Sequence, residues 1–219
     1  MTDFHIARLN MVESQVRPNG ITDPRIIAAM ATVARENFVP VARRSTAYMD
    51  EDVQISEGKA PRFLIEAMAF ARLLQLAAVA SGDKSLHVGA ATGYGSAVLA
   101  RLGADVVAHE SDAALAEAAR GNLKDIANIV VVQGKLSEGV AAQAPYDVIF
   151  VEGRIGEMPG ALLEQLAEGG RAVAVLGEAD MAKACIWTRS GAGSACRAAF
   201  DASVAALPGL GSKKPEFVF

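Results

Sequence analysis

The chain has 219 residues, a formal net charge of −4 and an apolar fraction of 52%, which excludes an intrinsically disordered protein. The acidic balance argues against nucleic acid as the main partner, because phosphate binding favours basic surfaces. No apolar run reaches the roughly 18 residues that a membrane-spanning helix needs. The N-terminal residues contain no apolar core typical of a signal peptide, so we predict a cytoplasmic protein without a membrane partner.

The length suits one α/β domain, predicted to span residues 1–219, with a helical N-terminal part at 1–80 and a sheet core at 81–219. The three histidines share no spacing typical of metal ligands, so no metal site is predicted. In a cytoplasmic protein Cys185 and Cys196 are expected to be reduced and buried, although a disulfide between neighbouring strands is geometrically feasible.

Residues 1–50 are predicted to be helical, because apolar residues recur there at helical spacing. Asn19-Gly20 interrupts the pattern, and a second helix is expected to have Pro24 at its first position. Residues 51–61 are expected to form a loop. A helix rich in Ala, Leu and Met is expected to follow, from about Phe63 to Val79.

From Lys84 onward, short apolar strands alternate with helices. The strand segments are SLHVGA, DVVAHE, NIVVVQG, YDVIFVEG and RAVAVLG, and the predicted helices are Tyr94–Leu102, Ala113–Lys124 and Pro159–Leu166. Continuous apolar runs of this length are typical of strands buried between two helix layers. Beyond residue 178, ACIWTRS and SACRAAFDASVAAL predict an antiparallel hairpin. The pattern therefore indicates an α/β fold with a doubly wound sheet.

The stretch Ser85–Asp112 has the sequence form of a βαβ nucleotide-binding half. Gly89 and Gly93 let the backbone approach a ligand closely, because no Cβ stands in the way. Glu110, at the end of the second strand, is placed to accept hydrogen bonds from a ribose diol. Ala91 stands where a dinucleotide-binding turn has its second glycine, which disfavours an NAD-type oxidoreductase. The turn is similar to that of S-adenosylmethionine-dependent methyltransferases, whose cofactor carries no phosphate.

In a doubly wound sheet, ligands bind beyond the carboxyl ends of the strands. The candidate cofactor-binding residues at these ends are Gly89, Ala90, Ala91, Gly93, Tyr94, Glu110, Ser111, Lys135, Leu136 and Glu152. Three of them retain an alternative: Glu110 as a solvated acid, Tyr94 as a core residue and Glu152 as the cap of the next helix. No catalytic residue is assigned.

The chain resembles the protein-L-isoaspartate O-methyltransferase family over nearly its whole length. The resemblance is carried by MVESQVRPNGITDPRIIAAMATVARENFVP, LHVGAATGYGSAVLARLGADVVAHESD and APYDVIFVEGRIGEMPGALLEQLAEGGRAVAV. It implies a Rossmann-like methyltransferase fold, with a seven-stranded, mostly parallel sheet whose last strand is antiparallel. It also implies methyl transfer from S-adenosyl-L-methionine to the α-carboxylate of an isoaspartyl residue in a protein or peptide, which starts protein repair.

One departure from the family pattern lies before the long helix. Active members carry a segment like GQTISQP there, whereas this chain reads SEGKAPRFLIEA. Aligning that proline with Ala67 places Ile65 at the position of the hydroxyl residue. Lys59 and Arg62 in the altered segment are expected either to lie on a solvated loop or to pair with a substrate carboxylate.

Two further departures lie within the sheet. The turn after the third strand reads Gly134-Lys135-Leu136, where the family usually has an acid between two glycines. His87 replaces the acid that the first strand usually carries. Each change removes a polar partner, so the alternative to an enzyme is a catalytically degenerate family member. Such a protein would act in binding or regulation, with or without the cofactor.

Overall fold

The computed structural model describes residues 3–191 and 193–211, so the outermost ends of the predicted 1–219 domain lie outside the described residues. The strands are β1 Val53–Gln54, β2 Phe63–Leu64, β3 Lys84–Val88, β4 Asp105–Glu110, β5 Ile129–Gln133, β6 Tyr146–Ile155, β7 Leu166–Leu176, β8 Lys183–Ser190 and β9 Gly193–Asp201. The α-helices are α1 Phe4–Met11, α2 Pro24–Thr32, α3 Ala67–Ala77, α4 Tyr94–Arg101, α5 Ala113–Leu123 and α6 Gly160–Leu163. Within the described part of the chain, none of the helices combines the length and the apolar character needed to cross a membrane.

The N-terminal part is helical, as its sequence predicts. Asp3 caps α1 by accepting hydrogen bonds from two backbone N–H groups of the first turn. Asp23 caps α2 by accepting a hydrogen bond from the backbone N–H of Arg25, with Pro24 at the first helical position. Short π- and 3₁₀-helical turns occupy Val12–Val16, Arg17–Asn19, Arg35–Phe38 and Val41–Thr46. The buried residues of α1, α2, Val12–Val16 and Arg35–Phe38 join α3 in one apolar cluster, which covers one face of the sheet.

A small hairpin occupies the region where a loop was expected at residues 51–61. β1 pairs antiparallel with β2, and the ladder continues where the N–H of Ile55 donates to the carbonyl of Arg62 at 2.8 Å. The helix expected from Phe63 therefore begins at Ala67 instead. A short apolar run satisfies the period of a strand as well as that of a helix, so only the tertiary pairing decides between them.

The main sheet has the strand order β5-β4-β3-β6-β7-β8-β9. The five strands predicted from apolar runs, β3 to β7, are parallel to one another. β8 is antiparallel to both β7 and β9, which confirms an antiparallel end to the sheet but places the reversed strand next to last. The strand order switches between β3 and β6, so a ligand crevice is expected at the carboxyl ends of these strands.

Two local expectations need correction. The helix expected over Pro159–Leu166 is reduced to α6, because Leu166 already pairs with Tyr146 as the first residue of β7. Both cysteines are free, but only Cys185 is buried, whereas Cys196 is exposed on β9. Burial raises the pKa of the Cys185 thiol to about 11.

Candidate functional site

The turn after β3 has a backbone that side chains disfavour. Gly89 and Gly93 have φ values of 80° and 101°, and Ala91 has a φ of 52°. The N–H groups of Gly89 and Ala90 donate to the carbonyl of His109 on β4, at 2.9 and 3.0 Å. The two glycines are needed because left-handed backbone strains any residue with a Cβ. The turn therefore stays close to the end of β4.

Glu110 is the last residue of β4, and its carboxylate is wholly buried. Its Oε2 accepts a hydrogen bond from the N–H of Ala91 at 2.7 Å. Its Oε1 accepts from the N–H groups of Ser111 and Asp112, at 2.7 and 2.9 Å. These three donors fix the carboxylate against the glycine turn, at the position where the sequence predicts a ribose ligand.

Arg62 pairs with both oxygens of this carboxylate. Its Nη1 lies 2.7 Å from Oε1 of Glu110, and its Nη2 lies 2.9 Å from Oε2. Nη2 also donates to the carbonyl of Gly89 at 3.2 Å. The two side chains are only 6% and 0% exposed. The expectation of a solvated loop is therefore wrong for Arg62, because its side chain is buried and pairs with an acid of its own chain. Lys59 is exposed, as a solvated loop predicts.

The hairpin explains how Arg62 reaches a residue 48 positions away. Its N–H donates to Oγ of Ser56 at 2.9 Å, and its carbonyl accepts from Ile55. Three residues later, the carbonyl of Ile65 accepts a hydrogen bond from the buried guanidinium of Arg35 at 2.7 Å. The Ile65 side chain lies in the core cluster. The altered segment is thus fixed on both sides of Arg62.

A second segment, 204–210, covers the glycine turn. A Cβ on Gly89 would lie 2.9 Å from Cδ1 of Leu207, so this side chain fills the space that the glycine leaves open. Two backbone hydrogen bonds hold the segment to β6. Arg154 donates to the carbonyl of Ala205 at 2.9 Å, and Leu207 donates to the carbonyl of Arg154 at 2.8 Å.

Asp52 connects the two covering segments. Its Oδ1 accepts from the N–H of Glu66, just beyond the hairpin, at 2.8 Å. Its Oδ2 accepts from the N–H of Ala205 at 2.6 Å. Burial raises the pKa of Asp52, although both hydrogen bonds favour its ionised form. The hairpin and the segment 204–210 therefore share one carboxylate.

Glu152 on β6 lies next to the glycine turn that follows β3. Its Oε2 is 2.9 Å from Nε2 of His87, and Nδ1 of His87 is 2.7 Å from Oγ of Ser96 on α4. All three side chains are buried. Gly95 leaves room for them, because Glu152 and His87 are the nearest neighbours of a Cβ built at that glycine. Glu152 therefore packs against the first turn of α4 and does not cap α6.

The remaining candidate residues lie at different depths. The ring of Tyr94 is fully buried and packs against two phenylalanine rings, at centroid distances of 5.7 and 5.5 Å. Lys135 is exposed, and its Nζ lies 3.1 Å from Oε1 of Glu138. Leu136 is buried on the opposite side of the sheet from the main cluster. Leu136 therefore places a buried apolar side chain shortly after the end of β5.

The Arg62–Glu110 pair predicts a stability that depends on pH. Burial alone would raise the pKa of Glu110, but the hydrogen bonds and charge of Arg62 outweigh it, so the pKa lies below its ordinary value of 4.5. The unfolded chain therefore takes up this proton more readily than the folded chain. The stabilisation is complete above the unfolded pKa and is lost as the pH falls through the folded one.

Urea unfolding between pH 6 and pH 3 measures this effect. The free energy of unfolding of the wild type is expected to fall more steeply below pH 4.5 than that of Glu110→Gln, which has no carboxyl to titrate there. Equal slopes would show that the pair contributes nothing to acid sensitivity.

The sequence matches the family model of protein-L-isoaspartate(D-aspartate) O-methyltransferase over residues 7–202. The chain belongs to the protein-L-isoaspartate O-methyltransferase family. A relative of this name from Koribacter versatilis is 41% identical over 183 residues, which cover 83% of this chain and 81% of the relative. Another from Methylorubrum populi is 39% identical over 180 residues, which cover 81% and 82%. The resemblance is thereby confirmed, and the family is dependent on S-adenosylmethionine.

Solved structures agree on the fold. A protein-L-isoaspartate O-methyltransferase superposes with a TM-score of 0.81 at 24% identity, over 93% of this chain and 67% of that chain. A Plasmodium falciparum structure described by the same activity was solved in complex with S-adenosyl-L-homocysteine. It superposes with a TM-score of 0.78 at 20% identity, over 92% and 98% of the two chains. The Rossmann-like methyltransferase fold is therefore confirmed.

The chemistry of the site fits an adenosyl cofactor. Glu110 is a carboxylate, the group that binds ribose hydroxyls in nucleotide sites, and the turn with its left-handed glycines brings the N–H of Ala91 close to it. Gly89 provides a space that a Cβ would fill, which is what close approach of a ligand requires. In the described conformation that space holds Leu207, and the carboxylate holds Arg62. Both side chains would have to withdraw before a cofactor could occupy this position.

Proposed function

We propose that this protein is an S-adenosylmethionine-dependent O-methyltransferase that methylates the carboxylate of isoaspartyl residues in cytoplasmic proteins or peptides. One observation carries the proposal. A buried carboxylate, Glu110, is fixed by three backbone N–H groups beside a glycine turn, at the carboxyl end of β4, which neighbours β3 at the strand-order switch. The relatives named above carry this methyltransferase name, which favours an enzyme over a member that has lost its chemistry.

The protein contributes mainly position and electrostatics to such a reaction. When bound, S-adenosylmethionine supplies an electrophilic methyl group on a sulfonium. The acceptor carboxylate is already an anion, so the transfer needs no strong base. Glu110 would bind the ribose hydroxyls and thereby set the depth of the cofactor, with Gly89 and Gly93 shaping the backbone around it. The buried side chains of Leu136 and Ile65 would help to exclude water.

The acceptor side of the site differs from the family pattern. Ile65 is buried at the position of the hydroxyl residue, and no Ser or Thr occurs between Ser56 and Ser81. A lost hydroxyl weakens the capture and alignment of the acceptor but leaves the cofactor contacts in place. We therefore expect cofactor binding together with a high KM for an isoaspartyl peptide.

Two measurements test the proposal. Calorimetry with S-adenosylhomocysteine is expected to give saturable heat at one site per chain. Transfer of a labelled methyl group to an isoaspartyl peptide is expected to exceed transfer to the same peptide with an ordinary aspartyl residue. Equal transfer to the two peptides would contradict the acceptor, and no binding up to millimolar ligand would contradict the cofactor.

A further inference from the structure

Arg62 and the ribose hydroxyls of an adenosyl cofactor need the same two oxygen atoms. Each oxygen of Glu110 already accepts at least one backbone hydrogen bond, and Arg62 takes the remaining capacity of both. The guanidinium also bonds to the carbonyl of Gly89, so it lies between the acid and the glycine turn. With both side chains almost fully buried, a cofactor cannot reach Glu110 while this contact persists.

Arg62 lies in the segment that departs from the family pattern. When Ala67 is set opposite the proline of GQTISQP, Arg62 stands opposite the first of the two glutamines in that segment. A glutamine has no charge to pair with a carboxylate. It therefore competes far less strongly for Glu110 than a bidentate guanidinium does.

We infer that Arg62 is an internal latch, which occupies the ribose-binding carboxylate of Glu110 and must leave it before the cofactor binds. The inference rests on the proposed function, because it assumes an adenosyl ligand at this site. Release of Arg62 requires movement of the hairpin, whose ladder holds the backbone of Arg62 through Ile55 and Ser56. Asp52 passes this movement to the segment 204–210, because it bonds to both covering segments.

Only molecules in which Arg62 has left Glu110 can bind the cofactor. The apparent Kd therefore equals the intrinsic Kd divided by the fraction of open molecules. If about one molecule in ten is open, the measured Kd is about tenfold higher than the intrinsic one. Removal of the guanidinium should lower the measured Kd by most of this tenfold difference. This is the opposite of what is expected when a residue that holds the ligand is removed.

Calorimetry with S-adenosylhomocysteine compares the wild type, Arg62→Gln and Lys59→Gln. Arg62→Gln is expected to bind about tenfold more tightly than the wild type. Lys59→Gln is the matched control, because it removes one positive charge from the exposed part of the same loop, and its affinity should equal that of the wild type. Circular dichroism and urea unfolding confirm that each variant is folded.

Hydrogen exchange of the wild-type protein provides a second readout that does not need a variant. The amides of Ile55 and Arg62 should exchange faster when S-adenosylhomocysteine is bound, because the ladder opens. A purely structural ion pair predicts unchanged or slower exchange there. This measurement decides the case if Arg62→Gln does not fold.

The outcomes separate the latch from the proposed function. Equal or weaker binding by Arg62→Gln, with saturable binding by the wild type, overturns the latch and leaves the cofactor assignment standing. Absence of binding by all three folded proteins overturns the cofactor assignment, and the latch with it.

Discussion

Replacement of Glu110 with alanine is expected to lower the free energy of unfolding by about 3–5 kcal/mol, the usual cost of breaking a buried ion pair on one side. The variant leaves the guanidinium of Arg62 buried, with only the carbonyl of Gly89 as a partner at 3.2 Å. It also removes the acceptor of three backbone N–H groups. Urea denaturation at pH 7 measures the loss.

Two comparisons make this result specific. Glu117→Ala removes a highly exposed acid from α5, whose ion pair with Arg120 is exposed on both sides, and should change stability by no more than about 0.5 kcal/mol. The double variant Glu110→Ala/Arg62→Met should lose less than Glu110→Ala alone, because it leaves no buried charge without a partner. A loss for Glu110→Ala as small as that for Glu117→Ala would mean that the pair does not form in solution.

The strands of the main sheet could be predicted because each one is recognisable from the residues of its own segment. The sequence runs that became β3 to β7 are apolar and bounded by turn residues, and each predicted run is shorter than an ordinary buried helix. β1 and β2 contain two residues each, and they exist only because the chain brings them together. A pattern within one short segment carries no information about such a partner. The same argument applies to α6, which ends where the tertiary pairing of β7 begins.

The residues of the candidate site also differ in whether local sequence could predict them. Gly89, Gly93 and Glu110 lie within one βαβ unit, so their spacing indicates that they meet at one sheet edge. Arg62 and Leu207 come from segments far away in the sequence, and their presence at this edge depends on the whole fold. One feature of the sequence does indicate burial of Arg62. An apolar run follows it directly, so an arginine at the start of that run is expected to be at least partly buried.

Replacement of Gly89 with alanine tests whether Leu207 closes the site. An alanine at this position would have to adopt the left-handed backbone conformation of Gly89, and this strain costs about 1–2 kcal/mol of stability. Its methyl group would also lie 2.9 Å from Cδ1 of Leu207 and 3.3 Å from the carbonyl oxygen of Glu152. This crowding costs about a further 1–3 kcal/mol. We expect a total loss of about 2–5 kcal/mol in urea unfolding.

Gly20 offers a matched control for the backbone strain. Its φ of 77° is close to the 80° of Gly89, but nothing lies within 4 Å of a Cβ built there. Gly20→Ala should therefore lose only the strain, about 1–2 kcal/mol. In Gly89→Ala/Leu207→Ala the two losses should be less than additive, because the new methyl group occupies space that Leu207 vacates. If Gly89→Ala and Gly20→Ala lose the same amount, Leu207 does not rest on the turn, and Arg62 alone would close the carboxylate to ligands.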